Sequence, residues 1–270
     1  MKLPSLTSTS TILTFAVLCG LGAFVATLLA RSPDNRGAGG SVRGFMFAAD
    51  NLPDDIPGLE HMIFSAEQQA LPGRRLGPAW FKLARLYRDD GREEAAADAW
   101  RHAAPLRLEV AGRQREPSNP NPWYEAGWAY SQIGDVESAR EPLTRAEELL
   151  TKQARDTGER LVWYKLGWAR KLLGSDLDAK IAWARALDQL MTQTTLGPGE
   201  MYDAACYNAL LGETTKAFEA LEQAIGLGYQ DAAHAQHDED FAGIREDPRF
   251  AAAILQMKQA KMGVRIESGS

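Results

Sequence analysis

The sequence predicts an all-α chain: a stack of antiparallel helix pairs preceded by one N-terminal transmembrane helix. Two observations carry this. A block of aromatic, small and glycine residues recurs three times in full and once in part, at the same internal offsets each time. Near the N-terminus, residues 11–30 carry no charge, and twenty residues at helical rise cover the ~30 Å hydrocarbon core of a bilayer. At 270 residues and 45% apolar content the chain can also bury a real core.

The block is clearest in Trp123-Tyr124-Glu125-Ala126-Gly127-Trp128-Ala129-Tyr130, followed by Gly134, Ala139, Leu143 and Ala146. Upstream it reads Trp80-Phe81-Lys82-Leu83-Ala84-Arg85-Leu86-Tyr87, then Gly91, Ala96, Trp100 and Ala103. Downstream it reads Trp163-Tyr164-Lys165-Leu166-Gly167-Trp168-Ala169-Arg170, then Gly174, Ala179, Trp183 and Ala186; a partial copy keeps Gly212, Ala217, Leu221 and Ala224. Small residues let two helices approach closely, and the large ones fill the space beside the contact. Each glycine falls where a helix stops and the chain reverses, a position that favours a residue without Cβ.

This pattern resembles the tetratricopeptide (TPR) repeat, whose signature opens W-x2-L-G-x2-Y. The resemblance implies a TPR-type α-solenoid, a right-handed superhelix of antiparallel helix pairs. The repeats are expected at about 77–110, 120–153, 160–193 and 198–228, forming an array over 77–228. They exceed the usual ~34 residues, and the signature proline is absent at Leu108, Thr151 and Met191. Second helices that run on account for both departures.

In chain order, 1–10 is a short tail and 11–30 the signal-anchor helix. A cleaved signal peptide is the competing reading, but an A-x-A-like site is missing: Leu28 precedes Ala30 at −3, and Phe24 precedes Ala26. Charge counting around the span tilts towards a cytoplasmic C-terminal side. A short N-terminus left inside instead places the repeats extracytoplasmic, and that single-pass topology is the expectation carried forward. Residues 31–55 form a Gly- and Ser-rich flexible linker. Leu59, Met62 and Ile63 recur at helical spacing, so 56–76 is read as an N-terminal capping helix stopped by Pro72-Gly73.

In TPR arrays the first helix of each repeat lines the concave surface. The resemblance therefore implies a protein-binding groove made by Phe81 with Arg85, Tyr124 with Trp128, Tyr164 with Trp168, and Tyr202, flanked by Arg88 and Lys171. Each pair is i, i+4, on one helical face, and aromatics of this kind dominate interface hot spots. The opposing reading is that these aromatics pack on one another or on the chain's own C-terminal segment. Met201 to Phe250 resembles the closing unit of bacterial TPR arrays; 229–265 is read as a C-terminal capping segment, with Asp247-Pro248 starting a final helix, and 266–270 as a frayed tail.

A net charge of −6, more negative still once Lys2 is set aside, argues against a nucleic-acid surface. No P-loop, G-x-S-x-G, H-E-x-x-H or C-x-x-C occurs. Cys19 lies in the apolar run and Cys206 in a repeat, so no disulfide is expected between them. The cluster His234-Ala235-Gln236-His237-Asp238-Glu239-Asp240 is read as a solvated loop whose acids cap the next helix, with a divalent-metal site as its alternative. The expectation is a membrane-anchored, non-catalytic scaffold without metal or cofactor, holding a protein or peptide segment in the groove. Two alternatives stand beside it: a structural oligomer component with a self-filled groove, and a metal-dependent enzyme using the His234–Asp240 loop.

Overall fold

The computed structural model describes residues 52–69, 71–114, 118–261 and 263. The expected anchor at 11–30 therefore lies outside the described residues. Among those described, every regular element is helical, and no helix is long and apolar enough to cross a membrane.

Helix α1 (Ile56–Gln68) begins where Asp55 Oδ1 accepts a hydrogen bond from the Gly58 amide at 2.8 Å. Its Leu59, Ile63 and Ala66 are buried, and the helix packs on α2. Four helix pairs follow: α2 (Gly77–Asp89) with α3 (Glu93–Gly112), α4 (Asn121–Gln132) with α5 (Val136–Thr157), α6 (Arg160–Leu172) with α7 (Asp176–Met191), and α8 (Pro198–Leu211) with α9 (Thr214–Gly226). Within each pair the helices pack on one another, and α3, α5 and α7 pack on the first helix of the next pair.

The reversals inside the pairs use Gly91, Gly134, Gly174 and Gly212, at φ of +73°, +74°, +83° and +84°. A Cβ would be strained in all four. The close approach within a pair leaves no room at Gly127, where a Cβ would lie 2.5 Å from Leu143 Cγ and 3.1 Å from the Leu143 amide nitrogen. At Gly167 the Trp183 indole fills the equivalent space. Leu143, Trp100 and Trp183, the large partners in the three full repeats, are all buried. Each contributes about 1.5–3 kcal/mol by burial.

The extra length of the repeats has two sources. Helices α3 and α5 run on to Gly112 and Thr157, passing through Pro105 and Pro142 at the loss of one backbone hydrogen bond each. Helix α7 instead stops at Met191, so the third repeat carries its excess in residues 192–197.

After α9 the chain forms a short helix, α10 (Ala232–His237), a 3-10 turn at Glu239–Phe241, and α11 (Pro248–Lys261). Asp247 Oδ1 accepts the Arg249 amide at 3.0 Å at the head of α11. Phe250, Ala253, Ile254 and Met257 are buried on its inner side, and α11 packs on α9 and α10. Helix α10 reaches back to α2, the start of the array.

Candidate functional site

The first helices of the four pairs share one face, and the 232–241 segment is inserted against it. Here the solvated-loop reading of His234–Asp240 is corrected. Asp238 and Asp240 are buried among the inner-face side chains, because those side chains present buried donors that need acceptors. The Tyr202 hydroxyl donates to Asp238 Oδ2 at 2.8 Å, and the Asp240 amide donates to Asp238 Oδ1 at 3.0 Å. Trp168 Nε1 donates to Asp240 Oδ1 at 2.9 Å, and the Tyr164 hydroxyl lies 3.1 Å from both Asp240 oxygens. Arg88 Nη1 meets Glu239 Oε1 at 3.2 Å and also grips Asp89.

His234 joins this segment to the first pair. Its Nδ1 lies 3.2 Å from Asp89 Oδ2 and its Nε2 3.3 Å from Asp238 Oδ2. Hydrogen bonds to Asp238 and Asp89 outweigh burial and raise its pKa to about 9, so it is a cation at neutral pH. Burial works against the Asp238 carboxylate, but His234, the Asp240 amide and Tyr202 together hold its pKa below the ordinary range. Asp240 goes the other way, pushed well up by burial and then by the neighbouring Asp238. The two acids are therefore driven apart, Asp238 downward beside His234 and Asp240 upward.

Cys206 Sγ lies 3.8 Å from Asp238 Oδ2. Donor atoms of Cys206, Asp238 and Asp240 fall within 4.8 Å of one another, a set that could hold a divalent cation. The same carboxylates already accept from Tyr202, Tyr164, Trp168 and His234. Burial, then Asp238 and Asp240, push the Cys206 thiol well up, which keeps it protonated and poorly nucleophilic.

Beside the inserted segment the inner face keeps a cavity of about 490 Å³, lined from α2, α4, α6, α8 and residues 234–240. Of the residues expected to form an open groove, Phe81, Arg85, Arg88, Tyr124, Trp128, Tyr164 and Tyr202 line it. The expectation of a broad exposed ladder is corrected for its core. Tyr124, Trp128, Trp168 and Tyr202 are each no more than 8% exposed. Trp168 sits beneath Asp240, edge-on to Trp128 at 5.0 Å and to Trp183 at 5.7 Å, away from the cavity lining. Lys171 also lies outside that lining; it is exposed and pairs with Asp176 at 2.6 Å. Phe81 is half-buried, edge-on to Trp100 at 4.9 Å, and Arg85 is exposed at the rim.

Sequence reasoning missed the lining contributed one residue beyond three of the four aromatic positions: Glu125 after Tyr124, Lys165 after Tyr164 and Asp203 after Tyr202. It also missed Arg160 and Leu161 at the start of α6. The shared offset from the aromatic was a usable signal for the first three. Glu125 pairs with Arg107 at 2.6 Å, and Arg160 pairs with Asp203. Burial raises the Glu125 carboxyl in spite of Arg107, Lys165 and Arg85 nearby. Burial also lowers the Lys165 ammonium; Glu125 opposes that effect and Arg85 adds to it.

No protein-family model matches this chain, and no curated protein matches it. Among solved structures, kinesin light chain nearly identical TPR-like repeats from Podosopora anserina are similar, with 18% identity, 72% of this chain and 98% of that chain covered, and a TM-score of 0.40. MamA is similar with 20% identity, 66% of this chain and 93% of that chain covered, and a TM-score of 0.33. On its own repeated residue pattern and its succession of helix pairs, the chain is similar to TPR-like repeat proteins.

Proposed function

We propose that the chain is a non-catalytic interaction scaffold, held at a membrane by residues 11–30, whose inner face receives a compact projection of a protein partner. A TPR-like fold supports a protein-interaction role. The observation that carries the finer reading is the cavity left beside the inserted segment, with Leu161 still 57% exposed on its lining. Apolar side chains left open at a concave site favour occupation by a ligand or partner. The inserted segment takes up the donors of Trp168, Tyr164 and Tyr202, so a partner laid along the whole face would have to displace it. A short projection entering the cavity would not. Chemistry is disfavoured because the thiol of Cys206 is held protonated and the buried acids already have partners.

The test is site-specific crosslinking. A photoreactive residue at Leu161, in cells that make the protein, should give one discrete adduct with another polypeptide. The same residue at exposed Leu255 on α11 should not give that adduct. If Leu161 yields no adduct, or the same adducts as Leu255, the cavity is not a docking site.

A further inference from the structure

The cavity is electrically lopsided once its internal pairs are taken out. On the side of the inserted segment, the Asp238 carboxylate is met by His234 and Tyr202, Glu239 by Arg88, and Asp240 by Trp168 and Tyr164. Asp203 is taken by Arg160, and Glu125 by Arg107. Two lining cations remain, Arg85 on α2 and Lys165 on α6, and among the described residues neither makes an ion pair. Lys165 Nζ donates to Asn121 Oδ1 at 2.9 Å and lies 6.0 Å from the centre of the Tyr124 ring. The two cations are close enough for Arg85 to disfavour the charged form of Lys165. A half-buried ammonium that shares a cavity lining with a second cation is an arrangement that an anion completes.

The rest of the lining fixes the body attached to that anion. Phe81, Tyr124 and Leu161 give apolar surface beside the two cations, and the 490 Å³ volume falls within the range of small-molecule pockets. The inserted segment occupies the neighbouring part of the inner face, which limits the ligand to something compact. We infer that the cavity is the binding site of a small organic acid, its carboxylate held between Arg85 and Lys165 and its apolar body against Phe81, Tyr124 and Leu161. The guanidinium and ammonium bind the carboxylate by charge-assisted hydrogen bonds, and the aromatic rings take the body. The inference goes beyond the scaffold reading by giving the same cavity a second occupant, so the ligand and a partner projection at Leu161 would compete for it.

The probe is 3-phenylpropionate, titrated into the full-length protein, with 3-phenylpropanol as a neutral control of matching body. The acid should bind saturably with a Kd at or below about 1 mM, and the alcohol should bind at least about tenfold more weakly. Arg85→Gln and Lys165→Gln should each weaken the acid by about tenfold with helicity retained, and Lys165→Gln loses in addition only the bond to Asn121. Lys165→Arg, which keeps the charge, should retain binding. The inference is overturned by absent saturable binding, by equal affinity for acid and alcohol, or by Gln variants that bind the acid as the parent does. The Leu161 crosslink is read separately, so a failed scaffold reading and a failed ligand are distinguishable.

Discussion

Trp168 decides whether the inner face is an open groove or a surface the chain closes over itself. Its indole is 7% exposed, wedged between Trp128 and Trp183, with Nε1 on Asp240 at 2.9 Å. Trp168→Ala removes a buried aromatic, at a cost of about 3–5 kcal/mol including the cavity left behind. It also deprives Asp240 of one side-chain donor while Tyr164 remains, adding about 1 kcal/mol. For a folded unit of this size each kcal/mol moves the melting temperature by roughly 2–4 °C, so a drop of about 8–24 °C is expected. Trp168→Phe keeps most of the area and loses the hydrogen bond, so it should cost only about 1–2 kcal/mol. Combining Trp168→Phe with Asp240→Ala should show coupling of about 1 kcal/mol between the two sites. Melting by circular dichroism and urea titration measure all five proteins, the Asp240→Ala single variant included. If Trp168→Ala melts within about 2 °C of the parent, the indole is not buried and the inserted segment is not seated on it.

Three further outcomes are expected. Gly127→Leu forces a side chain into Leu143, where even a Cβ comes to 2.5 Å, and should cost about 1–3 kcal/mol in a thermal melt, with the loss felt in adjoining repeats. His234 has a folded-state pKa raised from 6.5 to about 9, so its contribution is whole below about pH 6.5 and lost as pH rises through 9. Stability should therefore fall between pH 7 and pH 10, by up to about 3 kcal/mol and with it the melting temperature, and His234→Gln should flatten that part of the profile. Full-length protein should stay with membranes through carbonate and high salt, while a chain starting at Ser41 should not; a mature N-terminus between Ala23 and Arg31 would show a signal peptide instead.

The helix pairs were legible because their information is local. Gly127 and Leu143, or Gly167 and Trp183, sit at a fixed offset within one repeat, and the same steric demand recurs in the next. The reversal glycines were equally readable, since a positive φ of +73° to +84° at four matched positions leaves little choice of residue. The length of α7 was less so. The signal there is only a difference of propensity: Thr192, Thr194 and Thr195 follow Met191, while α5 continues through Lys152, Gln153, Ala154 and Arg155 to Thr157.

The candidate site was half legible, and the missing half has a physical reason that can be stated from the aromatics themselves. Facing side chains inward from Tyr164, Trp168 and Tyr202 buries two hydroxyls and an indole N–H along with their rings. The backbone carbonyls inside α6 and α8 are already spent on helical hydrogen bonds, so acceptors for these donors must come from another part of the chain or from outside. No position within the repeat pattern supplies them, because a carboxylate placed in every repeat would leave several buried charges unpaired. The segment after α9 is free of the pattern, and it carries Asp238, Glu239 and Asp240. Asp240 takes Trp168 and Tyr164, Asp238 takes Tyr202, and His234 ties both ends of the array together through Asp89, 145 residues away. An inner face rich in tyrosine and tryptophan thus carries a demand for acceptors as well as an apolar surface. Counting those donors, in addition to the rings, points to the acidic segment as their partner before any contact is seen.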